Sequence, residues 1–136
     1  MATNQVFADI PSTRRVREVG SNVAPGTPVI VDGRGGVTVT GSGDYTRTVT
    51  VGSISQVVTG GGVGLRDEDA TVAFTGSWAF DVVGASDATE PGTPVFLDDG
   101  DVTLTPADPD DPQFGVVDFF RGEKSATDTV VKIGAV

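Results

Sequence analysis

The sequence predicts an all-β fold: a small β-barrel or sandwich built from two internally duplicated hairpin units, with an extended N-terminal arm. Three observations predict it. The chain carries 23 Val, 4 Ile and 17 Thr against 3 Leu and 1 Met. Side chains branched at Cβ lose rotamer freedom in a helix and fit the pleated face of a sheet. No segment has a helical period, and 19 Gly with 8 Pro punctuate the chain, as turns between short strands do. A cassette of turn, strand, turn and strand occurs twice, which indicates an internal duplication.

Residues 1–22 read as the arm. Arg14, Arg15 and Arg17 fall within four positions, and Pro11 with Ser12 interrupts any strand early. Two readings stand side by side: an edge strand or frayed terminus blunted by charge, and a basic arm that docks on an acidic partner, a neighbouring copy included. Residues 23–136 read as one β-domain, with halves spanning about 24–80 and 90–136. The first cassette, residues 25–33, runs Pro-Gly-Thr-Pro-Val-Ile-Val-Asp-Gly and leads into Gly36-Val-Thr-Val-Thr. The second, residues 91–100, runs Pro-Gly-Thr-Pro-Val-Phe-Leu-Asp-Asp-Gly and leads into Asp101-Val-Thr-Leu-Thr. Each is a hairpin signature, with Asp and Gly at the turn. The repeat is expected to extend further, matching residues 50–54 to 113–117 and residues 69–76 to 127–134. Two four-stranded units closing on each other make a barrel or sandwich.

The central stretch is residues 71–83. Val72, Phe74, Trp78, Phe80 and Val82 alternate with Thr71, Ala73, Thr75, Ser77, Ala79 and Asp81. This alternation puts the large apolar groups on one side of a strand or of a bent pair of strands. Gly76 interrupts the apolar row and marks a bulge or bend. Near the C-terminal end, Phe119 and Phe120 are adjacent and so point to opposite faces. One ring fills the core; the other is covered by a loop or buried in a subunit contact.

At 136 residues the chain has room for one domain with a sizeable core. It has no Cys and no His, which removes disulfides, thiolate metal sites and a cysteine nucleophile, together with the commonest general base. The net charge of −10 falls in residues 81–128, which hold 12 acids and 2 bases, while the remainder holds 7 of each. A surface that acidic repels nucleic acid. No run approaches the ~20 apolar residues of a membrane span, so no membrane partner is expected. The first residues lack the basic-then-apolar build of a secretory signal, so synthesis in a cytoplasm is expected.

No arrangement reads as catalytic. The glycine-rich loop at residues 59–68 lacks the Gly-Lys-Ser/Thr of a phosphate loop and precedes a strand. Asp98, Asp99, Asp101, Asp108, Asp110 and Asp111 sit in turn-rich sequence. Their spacing matches no twelve-residue calcium loop, and Asp favours turns in its own right. Carboxylate pairs run glycoside hydrolysis in aromatic-lined clefts, and this chain has one Trp and one Tyr. No metal and no cofactor is expected, and the chain reads as a non-enzyme.

With these motifs on the page, the chain resembles the bacteriophage capsid cement, or decoration, proteins. The resemblance covers most of the chain. It rests on the Met-Ala-Thr-Asn start, the second cassette through Thr105, Phe114-Gly-Val-Val, the closing Ala126-Thr-Asp-Thr-Val-Val-Lys-Ile-Gly, and the strand Asp69 to Trp78 followed by Phe80. It implies a rigid β-body that binds the outside of an assembled phage head as a homotrimer, with the major capsid protein as partner and the virion surface as location. On that reading Val6, Phe7, Ile10, Arg14, Arg15 and Arg17 contact the shell. Phe119, Phe120 and Leu65 form the oligomer contact. The alternative is a glycan-binding or adhesive β-module, which needs aromatics exposed in a groove.

Overall fold

The computed structural model describes residues 4–7, 14–59, 64–120 and 129–134, the side chains of residues 5–7 and 120 excepted. All regular structure there is β. The strands are β1 (Gln5–Phe7), β2 (Arg14–Glu18), β3 (Pro28–Val31), β4 (Arg34–Thr38), β5 (Thr46–Val51) and β6 (Ile54–Thr59). They continue as β7 (Asp69–Ala73), β8 (Gly76–Phe80), β9 (Pro94–Asp98), β10 (Asp101–Thr103), β11 (Gln113–Phe120) and β12 (Thr129–Ile133). They form a six-stranded sheet in the order β1-β8-β12-β11-β9-β10, a four-stranded sheet in the order β2-β7-β4-β3, and a separate ribbon, β5-β6. Every strand pair is antiparallel. The sheets stay open, so of the two expected architectures the sandwich-like one is found and the closed barrel is not.

Both cassettes fold as the hairpins their sequences specify. Asp32 and Gly33 have φ of 54° and 73°, and Asp99 and Gly100 have φ of 47° and 86°. Two successive positive values make the type I′ turn, whose twist matches that of the flanking strands. The two hairpins are embedded differently. β3–β4 joins the four-stranded sheet with its second strand inward, and β9–β10 joins the six-stranded sheet with its first strand inward.

The wider repeat holds at one place and fails at another. Residues 69–76 and 127–134 contribute β7 and β12, each interior in its sheet and each followed by a positive-φ glycine, Gly76 at 104° and Gly134 at 82°. Residues 50–54 and 113–117 do not correspond. The first are the tip of the β5–β6 ribbon, whereas the second lie within β11. A short apolar run with one glycine suits a hairpin tip and a strand interior equally, and only the pairing partner decides between them.

The central stretch is the bent pair, split between sheets. β7 belongs to the four-stranded sheet and β8 to the six-stranded one, and the chain crosses between them just before Gly76. The large side chains are buried as expected, with Trp78 fully inaccessible and its Nε1 donating to the Thr75 carbonyl at 3.2 Å. At ~25 cal/mol per Å², burying the ~200 Å² of an indole contributes about 5 kcal/mol. On β8 the small residues of the opposite face, Ser77 and Ala79, are buried too. Both faces of β8 are therefore covered, which strand alternation alone does not foresee. The single apolar face expected of the whole stretch does not hold across the bend: Ala73 of β7 joins Trp78, Phe80 and Val82 in the core cluster, and Val72 does not.

The core lies between the sheets. Val37, Val39 and Ala73 from the smaller sheet side meet Trp78, Phe80, Val95, Val102, Phe114, Val117, Val131 and Ile133 from the larger. Phe80 and Phe114 pack edge to face at 5.5 Å and 79°, the arrangement ring quadrupoles favour. Gly35 lets the sheets touch: a Cβ there would lie 2.0 Å from the Phe114 carbonyl oxygen.

Candidate interaction surfaces

The N-terminal basic segment is docked on the body. β1 forms an edge of the six-stranded sheet against β8, and β2 forms an edge of the four-stranded sheet against β7, in register from Arg14 opposite Ala73 to Glu18 opposite Asp69. Residues 14–18 thus take the edge-strand form. Arg14, Arg15 and Arg17 project from it. Arg17 Nε reaches Asp32 Oδ2 at 3.4 Å, with both side chains exposed, and such a pair contributes under ~1 kcal/mol. Arg14 and Arg15 are exposed and have no carboxylate partner among the described residues. Arg15 Nη1 donates to the Arg14 carbonyl at 2.7 Å. The outer row of β2 backbone groups faces no strand among the described residues. Ile10 and the side chains of Val6 and Phe7 lie outside the described residues.

Of the proposed oligomer contacts, Phe119 is exposed at 38%. The cause is a break in strand register. Val117 pairs with Val131 and Phe119 with Val130, so Asp118 is an extra residue, a bulge. Simple alternation would turn Phe119 to the same side as buried Val117; the bulge re-aims it. Asp118 accepts from Ser77 Oγ at 2.9 Å. Leu65 is half-buried, in the connection before β7, where its carbonyl packs against Gly43. Leu65 therefore lies in a loop leading into the four-stranded sheet, whereas Phe119 lies on β11 of the six-stranded one. The Phe120 side chain lies outside the described residues.

The most exposed apolar surface belongs to β5–β6, a ribbon the sequence reading passed over. Its register pairs Arg47 with Val58, Val49 with Gln56 and Val51 with Ile54 on one face. Thr46 with Thr59, Thr48 with Val57 and Thr50 with Ser55 occupy the other, because directly opposed residues share a face. Thr50 Oγ1 and Ser55 Oγ lie 3.0 Å apart, as that assignment requires. Val51, Ile54 and Val57 are exposed at 75%, 73% and 67%. Neither strand joins another sheet among the described residues, so the ribbon projects from the body. The missed signal was Gly52-Ser53 between two Thr/Val/Ile runs. Glycine at the first turn position, with φ of 61°, suits the type II′ hairpin turn.

The base of the ribbon is held firmly. Thr46 N donates to Asn22 Oδ1 at 3.0 Å, Gly43 N to the Asp69 carbonyl at 3.1 Å and Asp44 N to the Asp67 carbonyl at 3.0 Å. Asp44 gathers three donors: the Ser21 hydroxyl, the Asn22 backbone N–H at 2.8 Å and the Ser42 hydroxyl at 2.7 Å. In that order these bonds hold its carboxyl down at about 2, because each favours the charged form.

A groove and the acidic turns remain. A groove of about 510 Å³ is lined by Arg34, Phe74, Thr75, Pro112, Gln113 and three glycines. The Arg34 guanidinium sits 4.5 Å over the Phe74 ring, covering it. Phe119 is the one exposed aromatic among the described side chains, so no stacking platform for a sugar is formed in that groove. The acidic turns use their own carboxylates: Asp111 Oδ2 accepts from Asp108 N at 3.1 Å and Asp108 Oδ1 from Asp110 N at 2.9 Å. Among the described residues no cluster of three carboxylates is placed to hold a metal. No family model, no curated protein and no solved structure matches this chain.

Proposed function

We propose that the chain is a capsid decoration protein: it binds the major capsid protein on the outer surface of an assembled phage head, as a homotrimer on the lattice, and stabilises the shell. The reading starts from the sequence resemblance. The observation that carries it is the β2 edge, where Arg14 and Arg15 stand exposed and unpaired by carboxylates among the described residues, on a molecule of net charge −10. A basic edge on an acidic body orients the protein toward an acidic partner surface and turns the rest of the body outward. Binding only the assembled lattice stabilises that lattice by mass action. Several weak contacts on adjoining subunits add through effective concentration. The virion surface is then the working location, after synthesis in the host cytoplasm. No turnover is part of this role.

The test is co-sedimentation with mature heads and with unexpanded procapsids. Wild-type protein is expected on mature heads only. Arg14→Glu/Arg15→Glu is expected to lose at least tenfold in affinity, with a weaker salt dependence than wild type. Equal binding by wild type and the double variant would remove the basic edge from the contact. No binding of wild type to any head would remove the role.

A further inference from the structure

We propose that the β5–β6 ribbon is a self-association element, and that its apolar face packs on the same face of a second copy of this chain. An isolated two-stranded ribbon is marginal in water, and this one leaves Val51 and Ile54 three-quarters exposed beside its tip. Its two faces are chemically distinct. Val49, Val51, Ile54 and Val58 share one side with Arg47 and Gln56, and Thr46, Thr48, Thr50, Ser55 and Thr59 share the other with Val57. Such segregation provides one face to dry and one to keep wet. The edges are also lightly guarded: Arg47 is the one charge, and neither strand has a Pro, a Lys or an acid, the devices by which exposed edges avoid pairing.

Charge selects the occupant. The molecule carries −10, yet from Tyr45 to Arg66 there is no acid, and within the ribbon Arg47 is the only charge. Two copies that meet through their acidic parts repel each other. Two that meet ribbon to ribbon do not, because each six-residue strand spans about 20 Å at ~3.4 Å per residue. That separation holds the acidic bodies beyond the ~8 Å Debye length of physiological salt. The ribbon face is self-complementary about a two-fold axis, Val51 of one copy facing Ile54 of the other, an isologous contact distinct from the three-fold contact of the proposed homotrimer. Four aliphatic side chains fall well short of the ~800 Å² per partner of a stable interface. The association is therefore weak and reversible in free solution, and strong only where copies are held close. That last clause rests on the shell-binding reading; the self-association does not.

The experiment is sedimentation equilibrium of the full chain alone, at rising protein concentration, in low and in high salt. Wild type is expected to gain mass with concentration, and to gain more in high salt than at ~0.01 M, where the ~30 Å Debye length outreaches the ribbon and the acidic bodies repel. Val51→Thr/Ile54→Thr keeps strand propensity and is expected to raise the self-dissociation constant about tenfold or more. Val57→Thr, on the hydroxyl face, is expected to associate as wild type does. Thermal unfolding of each variant checks that the body is intact. A monomer at every concentration overturns the proposal, and so does association that Val51→Thr/Ile54→Thr leaves untouched or that Val57→Thr weakens equally. If the protein alone is monomeric and Val51→Thr/Ile54→Thr loses head binding, the occupant is the shell protein and self-association is overturned. Failure to bind heads leaves the sedimentation result unaffected and counts against the shell reading alone.

Discussion

Asp44 shows how one carboxylate secures the root of an exposed ribbon. It ties the Ser21–Asn22 turn to Ser42 at the root of the ribbon through bonds that only the ionised form makes well. Its carboxyl lies at about 2 in the folded protein, below the ordinary ~3.9 of an unfolded chain. The folded state therefore holds its proton less tightly. The stability this confers is complete above the unfolded value and is lost as pH falls through the folded one. The melting temperature of wild type minus that of Asp44→Asn is expected to be flat above pH ~4 and to shrink between ~4 and ~2. A difference that persists unchanged at pH ~2 would assign the effect to packing instead of ionisation. Gly35 makes a second case. Its backbone touches that of Phe114, and an added Cβ would sit 2.0 Å from a carbonyl oxygen that cannot swing away. Gly35→Ala is expected to destabilise by ~1–3 kcal/mol or more, read by urea unfolding, because the sheets must separate to admit a methyl.

At the scale of elements, three hairpins share one local logic and differ in what surrounds them. β3–β4 and β9–β10 are stitched into sheets through a neighbouring strand, whereas β5–β6 pairs only with itself. Removing residues 47–58 and closing the gap with Asn-Gly is therefore expected to leave a cooperatively unfolding body. Its melting temperature should stay within a few degrees of wild type, since surface changes away from the core shift stability by about 0.5 kcal/mol. Loss of cooperative unfolding by circular dichroism would mean that the ribbon braces the sheets. The two cassettes were legible in the sequence because an Asp-Gly turn between short apolar runs forces both backbone reversal and twist within a few residues. The ribbon carried an equally local signal in Gly52-Ser53. Its residues 50–54 also resemble residues 113–117, a likeness of composition between a hairpin tip and a strand interior that hides the turn. The Phe119 contact shows the opposite limit. Its exposure follows from the bulge at Asp118, which no pattern of residue types announces.

At the scale of the whole molecule, the protein is an acidic sandwich-like body with a basic edge strand and a ribbon that carries one apolar face and a single charge, Arg47. The basic edge and the ribbon occupy separate elements, β2 and β5–β6, so the proposed shell contact and the proposed contact with a second copy use different residues. Salt is expected to separate them: the double variant at Arg14 and Arg15 tests a contact that salt weakens, and that at Val51 and Ile54 a contact that salt strengthens. The sequence by itself determined the β class, the hairpin cassettes, the buried row around Trp78 and the placement of charge, because each depends on side-chain alternation and turn chemistry within a few residues. Tertiary structure alone decided that β7 and β8 belong to different sheets, that the basic segment is an edge strand, that the sheets stay open and that the ribbon stands apart. Those outcomes depend on which strand finds which partner across the chain, and backbone hydrogen bonding is the same for every candidate pair until packing selects one.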